Sequence, residues 1–450
     1  MDEEPRWETL LAPLGAEVVA PVPPARRRAA PGTIIERAMR AAGLVRFLRE
    51  ARHDGGPVTV VVNDPHRGTD TRRALDALMR VAAGAGGPVR FRLLVATGSH
   101  VFGAGSRRRH EERVLGPWRG RFVERLWHDA RDARSLVRVA GVRLHRWVAE
   151  GTSIGIGSLE PHYFAGVAGA HKSLTIGVMA LNDIEANHAR ALSARSRPLA
   201  LEGNPIHEGI AALLRRLEAS RGRLFAVDEI QCGGRVVACM AGRPLAALAA
   251  GLPLVRRIFT RSLRRPVDLV VARVGPPLDR SLYQADKGIK NVEAAVRDGG
   301  TILLDAPCPE GVGIDRFLRL LARAGDYAAA IAVLRAEGYT LGDHKAVRLR
   351  RLTGTRRVRL GVVSRSLPEE AARILHASRF DDRTSAAAWA VRTLGAERPG
   401  VPVRGLIVED AGNMALRIRE RESRPRRKVR VEPRAAGRGT SRPEWGSGLR

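Results

Sequence analysis

The chain has 450 residues, 44% of them hydrophobic, so it is long enough for two packed domains. No run of about 18 or more apolar residues is free of charge, and the acidic start MDEEPRWETLLAPLG lacks the basic-then-apolar order of a secretory signal, which makes a cytoplasmic, soluble protein the expectation. Three cysteines without a C-x-x-C (Cys232, Cys239, Cys308) exclude a disulfide framework and a cysteine-rich zinc site. The formal net charge of +30 invites a nucleic-acid partner, but the arginines are scattered along the chain rather than gathered in one stripe. Lysine is nearly absent: Lys172, Lys287, Lys290, Lys345 and Lys428 are all there is. Where arginine serves almost everywhere, a retained lysine hints at a need for a primary amine.

In chain order, residues 1–33 form a Pro/Arg-rich lead that reads as irregular. Apolar spacing predicts a helix over 34–50, and the β-branched run Pro57–Val62, bounded by Gly55-Gly56 and Asn63-Asp64-Pro65, predicts a buried strand. A helix over 69–83 follows, capped by Thr69 or Asp70, then a strand over 91–96 that runs into Thr97-Gly98-Ser99-His100. This alternation is the α/β pattern, in which ligands sit at the loops after the strand ends, where Asp64, Arg67 and His100 fall. His110, His128 and His145 read as surface histidines. The segment 204–217 predicts an amphipathic helix, and residues 224–228 and 235–240 predict paired strands around Gly233-Gly234. A second α/β unit starts near Arg265, with strands at 266–272, 301–305 and 358–363. The fold class is therefore α/β, two α/β domains with an active site in the cleft between them. The expected organisation is a lead (1–33), a catalytic and cofactor-binding domain (34–264), a C-terminal domain (265–410) and a basic, disordered tail (411–450).

The densest stretch of chemistry is GSLEPHYFAGVAGAHKSLTIGVMALNDIEANH, residues 157–188. It contains His162, Lys172 and His188 around the glycines Gly166 and Gly169, which would let a backbone approach a phosphate closely. Imidazole serves as a general base and as a nickel, zinc or copper ligand, and a lysine amine as a nucleophile or cofactor anchor.

Five ordered motifs resemble the nickel-dependent lactate racemase family: VVVNDPHRGTDTRRALDAL with Asp64 and Arg67, ATGSH ending in His100, GSLEPHYFAGVAGAHKSLTIG, Glu185-Ala-Asn-His188, and Leu282-Tyr-Gln-Ala-Asp-Lys287, followed by the Glu310–Gly313 loop. The resemblance spans residues 34 to about 350. It implies a racemase or epimerase of a 2-hydroxy acid that works by reversible hydride transfer to a nickel-pincer nucleotide, pyridinium-3,5-bisthiocarboxylic acid mononucleotide. By that resemblance Lys172 carries the cofactor covalently, His188 is the protein ligand to nickel, and His100 and His162 are the acid/base pair. Arg67, Gln284 and Lys287, with Asp64 nearby, match positions that bind or orient substrate. The implied partners are a small 2-hydroxy acid and the enzymes that make the cofactor and insert nickel, with neither a membrane nor nucleic acid as main partner.

Several residues depart from the family pattern. Gly98-Ser-His-Val-Phe102 replaces a usual Gly-Thr-His-Arg-Pro, and Ala168-Gly-Ala-His-Lys172 replaces Ser-Gly-Gly-Arg-Lys. The tryptophan of lactate-specific members is not evident around Gly342–Lys345. Lactate and a larger or more polar 2-hydroxy acid both stay open as substrate. The competing classes are a lysine Schiff-base lyase, aldolase-like and using Lys172 without nickel, and an Arg-rich nucleic-acid-binding protein.

Overall fold

The computed structural model describes residues 4–25, 29–220, 223–314 and 316–419, and residues 4–418 form one compact unit. Two six-stranded sheets organise it. In the first, the strands lie in the order Arg235–Gly242, Leu224–Cys232, Ser153–Ser158, Val58–Asn63, Phe91–Ala96, Phe122–Trp127. All pairings are parallel except the hairpin between the first two, whose turn residues Gly233 and Gly234 take φ of 57° and 71°. Two consecutive positive φ values fit a two-residue hairpin turn, which explains the glycine pair. The order reverses between Val58–Asn63 and Ser153–Ser158, so the loops leaving those strands diverge there and open a crevice.

Val58–Asn63 forms because it is a β-branched run that can be covered on both faces. With a side-chain period of two, Val58, Val60 and Val62 pack with Leu75, Leu78 and Phe91, while Val61 packs with Leu94, Leu144 and Ile176. Each fully buried valine contributes about 1.5–3 kcal/mol relative to exposure. The following helix is Thr71–Ala82, with Asp70 as N-cap accepting the Arg73 amide. The helix expected over 34–50 is instead two, Pro31–Ala41 and Leu44–His53, because Gly43 takes φ 79° between them.

The second sheet is all parallel, in the order Glu17–Val19, Gly405–Val408, Val267–Arg273, Val296–Asp305, Arg359–Val363, Ala377–Phe380. Its first strand corrects the reading of residues 1–33 as an irregular lead. Glu17–Val19 pairs with Leu406–Val408, and Trp7, in the short helix Trp7–Leu10, is fully buried beside Leu269, Leu303 and Ile407. Trp7 Nε1 also donates to Asp305 Oδ2 at 2.7 Å. A three-residue strand shows no period in sequence; tertiary pairing alone creates it. Trp7→Ala is expected to cost about 3–5 kcal/mol of unfolding free energy by urea titration, the range for emptying a large aromatic site. A change under 1 kcal/mol would mean the lead is not part of the core.

The boundary at 411 is corrected as well. Ala411 and Met414 are buried, and Ala415–Ile418 pairs in parallel with Thr260–Leu263. The short apolar run is masked in sequence by the arginines after it. The tail beyond residue 419 lies outside the described residues. No described helix is long and apolar enough to cross a membrane.

Candidate active site

Asp64, Arg67, His100, His162, Lys172, His188, Gln284 and Lys287, all the site residues expected from sequence, line a single cavity of about 120 Å³. The first two stand on the loop leaving Val58–Asn63, and His100 stands on the loop leaving Phe91–Ala96. His162 lies in the two-residue strand Pro161–His162, which pairs with Gly166–Val167. Lys172 sits in the short helix Ala170–Ser173, and His188 closes the helix Leu181–His188. Gln284 and Lys287, three residues apart on the helix Leu282–Val292, come from the second sheet's half of the molecule. A second chamber, of about 730 Å³, shares Ser99, His100, Tyr283 and Gln284 with the first.

The two histidines of the expected acid/base pair are held differently. His100 Nδ1 donates to Asp64 Oδ2 at 2.7 Å. Burial raises the Asp64 carboxyl, but the adjacent His100, its hydrogen bond, His66 and Arg67 together outweigh burial and hold it well below the ordinary carboxylate range. An ionised Asp64 keeps the proton on Nδ1 and leaves the Nε2 lone pair of His100 free, with only the Gln284 amide near it at 3.5 Å. His162 Nδ1 instead accepts the Ala165 amide at 3.3 Å, which places its proton on Nε2. Burial, then the charges of Lys172, Arg67 and Lys287, depress His162 far below the ordinary histidine value and keep it neutral. One imidazole is thus set as acceptor and the other as donor.

Lys172 is depressed well below the ordinary lysine value by burial and by the Arg67 charge, which favours the free amine. His188 is pushed down to about 3, first by burial and then by Lys172. Its Nδ1 is buried and has no hydrogen-bond partner among the described residues. Burial, Arg67 and Lys345 depress Lys287. Asp64 and Glu160 line the same cavity, and Glu160 partly offsets the forces that disfavour the charged form of Lys287; a bound carboxylate would favour that charge further.

Gly169 lines the cavity, and both Gly166 and Gly169 are also closely packed against protein. A Cβ on Gly166 would strike the Ala200 carbonyl, and one on Gly169 would meet Leu159 Cδ2 at 2.7 Å and Asp228 Oδ1 at 2.9 Å. Protein packing alone therefore already requires a small residue at both positions.

Sequence reasoning missed His66, Tyr163, Phe164, His344 and Lys345. His66 stacks edge-on to His100 with ring centroids 4.8 Å apart. Tyr163 and Phe164 line the cavity beside His162, inside a motif already singled out. His344 bridges the hydroxyls of Tyr163 and Tyr339 at 3.0 and 2.7 Å. Lys345 donates to the Tyr283 carbonyl at 2.6 Å and to Asp286 at 3.1 Å. The scarcity of lysine was a signal for Lys345; nothing local marked His344.

His110, His128 and His145 are buried, not superficial. Each meets backbone: His110 Nε2 bonds Asn63 O, His128 Nε2 bonds Met179 O, and His145 Nδ1 accepts the Trp147 amide. Burial, then the His128 charge, lowers His145 from 6.5 to about 4. Its contribution to stability is intact above 6.5 and declines as pH falls towards 4, because the unfolded chain takes up a proton that the folded chain refuses. The slope is about 1.4 kcal/mol per pH unit for one such group. His145→Asn, which retains an acceptor for the Trp147 amide, is expected to flatten the acid limb of stability against pH by about that slope in urea titrations from pH 4 to 7.

Comparison with known proteins fits this arrangement. Residues 13–198 match the Lactate racemase N-terminal domain and residues 264–343 the Lactate racemase C-terminal domain. The chain is 25% identical over 303 residues to the lactate racemase of Thermoanaerobacterium thermosaccharolyticum, spanning 65% of this chain and 70% of that protein. It is 27% identical over 290 residues to the lactate racemase of Lactiplantibacillus plantarum, spanning 62% and 66%. Its fold superposes on the T. thermosaccharolyticum lactate racemase apoprotein with a TM-score of 0.73 at 23% identity, covering 86% of this chain and 93% of that one. A crystal structure of a Thermotoga maritima protein gives a TM-score of 0.64 at 16% identity, covering 88% and 100%. With both domains matched in order, the chain belongs to the lactate racemase family.

Proposed function

We propose that this protein racemises or epimerises a 2-hydroxy acid, with a nickel-pincer nucleotide joined covalently to Lys172 and nickel bound by His188. The observation that carries the reading is the shared cavity in which His100, tied to Asp64 at 2.7 Å, and His162 face the same space as Arg67, Lys172, His188 and Lys287. The residues fit the group. Burial favours the free amine at Lys172, and His188 is a neutral imidazole with an open lone pair, the form a nickel ion binds. One histidine is sparse ligation for nickel and is sufficient where the cofactor supplies the other donors.

When bound, the cofactor supplies the electrophilic hydride acceptor that no side chain provides. Arg67 and Lys287 hold the substrate carboxylate through charge-assisted hydrogen bonds. His100 Nε2 takes the hydroxyl proton of one enantiomer, and Asp64 stabilises the imidazolium that results. His162 Nε2–H returns a proton to the oxygen when it lies on the opposite side. Exchange of roles between the two histidines runs the reaction in the other direction. Arg67 and Lys287 retain the 2-oxo acid between the two steps.

The test is intact-protein mass with nickel content, on chain co-expressed with cofactor-making and nickel-inserting enzymes. A mass increment localised to Lys172, with about one nickel that is lost in His188→Ala, is the expected result. An unmodified Lys172 and no nickel, while a known racemase loads in the same cells, would overturn the reading.

A further inference from the structure

His66 has no place in that chemistry, yet it is built into the site. The Asp64 carboxylate closes a turn on its own loop, Oδ1 accepting the His66 amide at 2.9 Å, while Oδ2 accepts from His100. The turn folds the His66 ring back against His100, and Phe102 packs against its other flank at 5.0 Å between centroids. One carboxylate oxygen of Asp64 and one nitrogen each of His66 and His100 lie within 4.8 Å of one another. His66 Nδ1 is buried and has no hydrogen-bond partner. Two imidazoles and a carboxylate form the three-ligand set of an open divalent site, with a fourth position left for water or substrate. Binding would require small side-chain rotations that bring each donor to the Zn–N and Zn–O lengths of about 2.0–2.2 Å from a central ion.

We propose that Asp64, His66 and His100 form an inhibitory site for a zinc-class divalent cation. The ion would take the place of the proton that His100 and Asp64 share, so His100 could not accept a hydroxyl proton while it is bound. That inhibitory consequence rests on the racemase reading; binding of the ion does not.

Zinc chloride is titrated into the cofactor-free full-length chain against a chromogenic chelator, with His66→Phe and His188→Ala in parallel. His66→Phe keeps the ring packing on Phe102, and its melting temperature reports whether the fold survives. One zinc per chain is expected in the wild type and in His188→Ala, with affinity at least about 10–100-fold weaker in His66→Phe, since loss of an outer-shell partner alone costs that much. Equal affinity in a folded His66→Phe, or no zinc bound by the wild type, overturns the site. Zinc lost in His188→Ala but retained in His66→Phe also overturns it, by placing the ion at the proposed nickel ligand. In the loaded enzyme, zinc is expected to slow the wild type at concentrations that leave the rate of His66→Phe unaffected. A loaded enzyme without racemase activity that still binds zinc through His66 would sink the proposed function alone.

Discussion

Lys172→Met is expected to fold at least as well as the wild type, to carry no mass increment after co-expression, and to show no racemase activity above background. Methionine matches lysine in length and apolar reach but offers no amine. Burial and the Arg67 charge already disfavour the ammonium form at this position, so removing it relieves a cost of folding. Because the unfolded lysine holds a proton that the folded site refuses, wild-type stability rises with pH towards the ordinary lysine value, so the gain of Lys172→Met over the wild type should be largest at low pH and shrink as pH rises. Melting temperature and intact mass on one preparation check the two halves of the expectation. A Lys172→Met chain that still gains the cofactor mass would show that the anchor is elsewhere. A Lys172→Met chain that keeps full activity would remove the covalent group from the mechanism.

The second large effect is expected at the His100–Asp64 pair. In loaded enzyme, His100→Asn should lower kcat by about 10²–10⁴-fold in both directions, the usual worth of a positioned general base, without altering cofactor mass or nickel content. Asp64→Asn is the more informative change. Its side-chain amide would donate to Nδ1 rather than accept from it, so His100 would carry its proton on Nε2 and lose its acceptor role. A loss of up to about 10⁴-fold is the precedent for an orienting carboxylate replaced by its amide. Because the carboxylate is also ionised in the pair, Asp64→Asn removes the charge that stabilises the imidazolium. The check is kcat and KM for each enantiomer beside intact mass. A drop confined to KM would assign the pair to binding, and an unchanged kcat would remove His100 as the base.

Much of the site is legible before folding because its residues sit in short, dense segments. Asp64 with Arg67, and His162 with Lys172 and His188, are close in sequence because each group rides on one loop or on consecutive short elements. The strands Val58–Asn63 and Phe91–Ala96 are legible for a related reason: a strand covered on both faces is apolar at most positions, and that leaves a nearly continuous run, broken here only by Thr59, Asn63 and Arg92. The scarcity of lysine also carries information. Among the described residues Lys172, Lys287, Lys290 and Lys345 are all buried or half-buried, while the exposed surface is covered by arginine.

Tertiary structure alone decides the rest. No local pattern brings His344 to Tyr163, 181 residues away, or attaches Trp7 to Asp305 across 298 residues. Burial of His110 and His128 could not be read either, since a polar ring is admitted to a core only when a group is there to satisfy it, and the partners Asn63 and Met179 are supplied by distant elements. The glycines of the central stretch show the same division. Their presence is a sequence fact, but whether a glycine makes room for a ligand or for the protein itself depends on what stands opposite, here the Ala200 carbonyl and Asp228. Residue types and spacing thus determined the chemistry available to this chain. Which of those groups meet, which are dry and which hold a proton was decided by the strand order of the two sheets and the crevice at their strand ends.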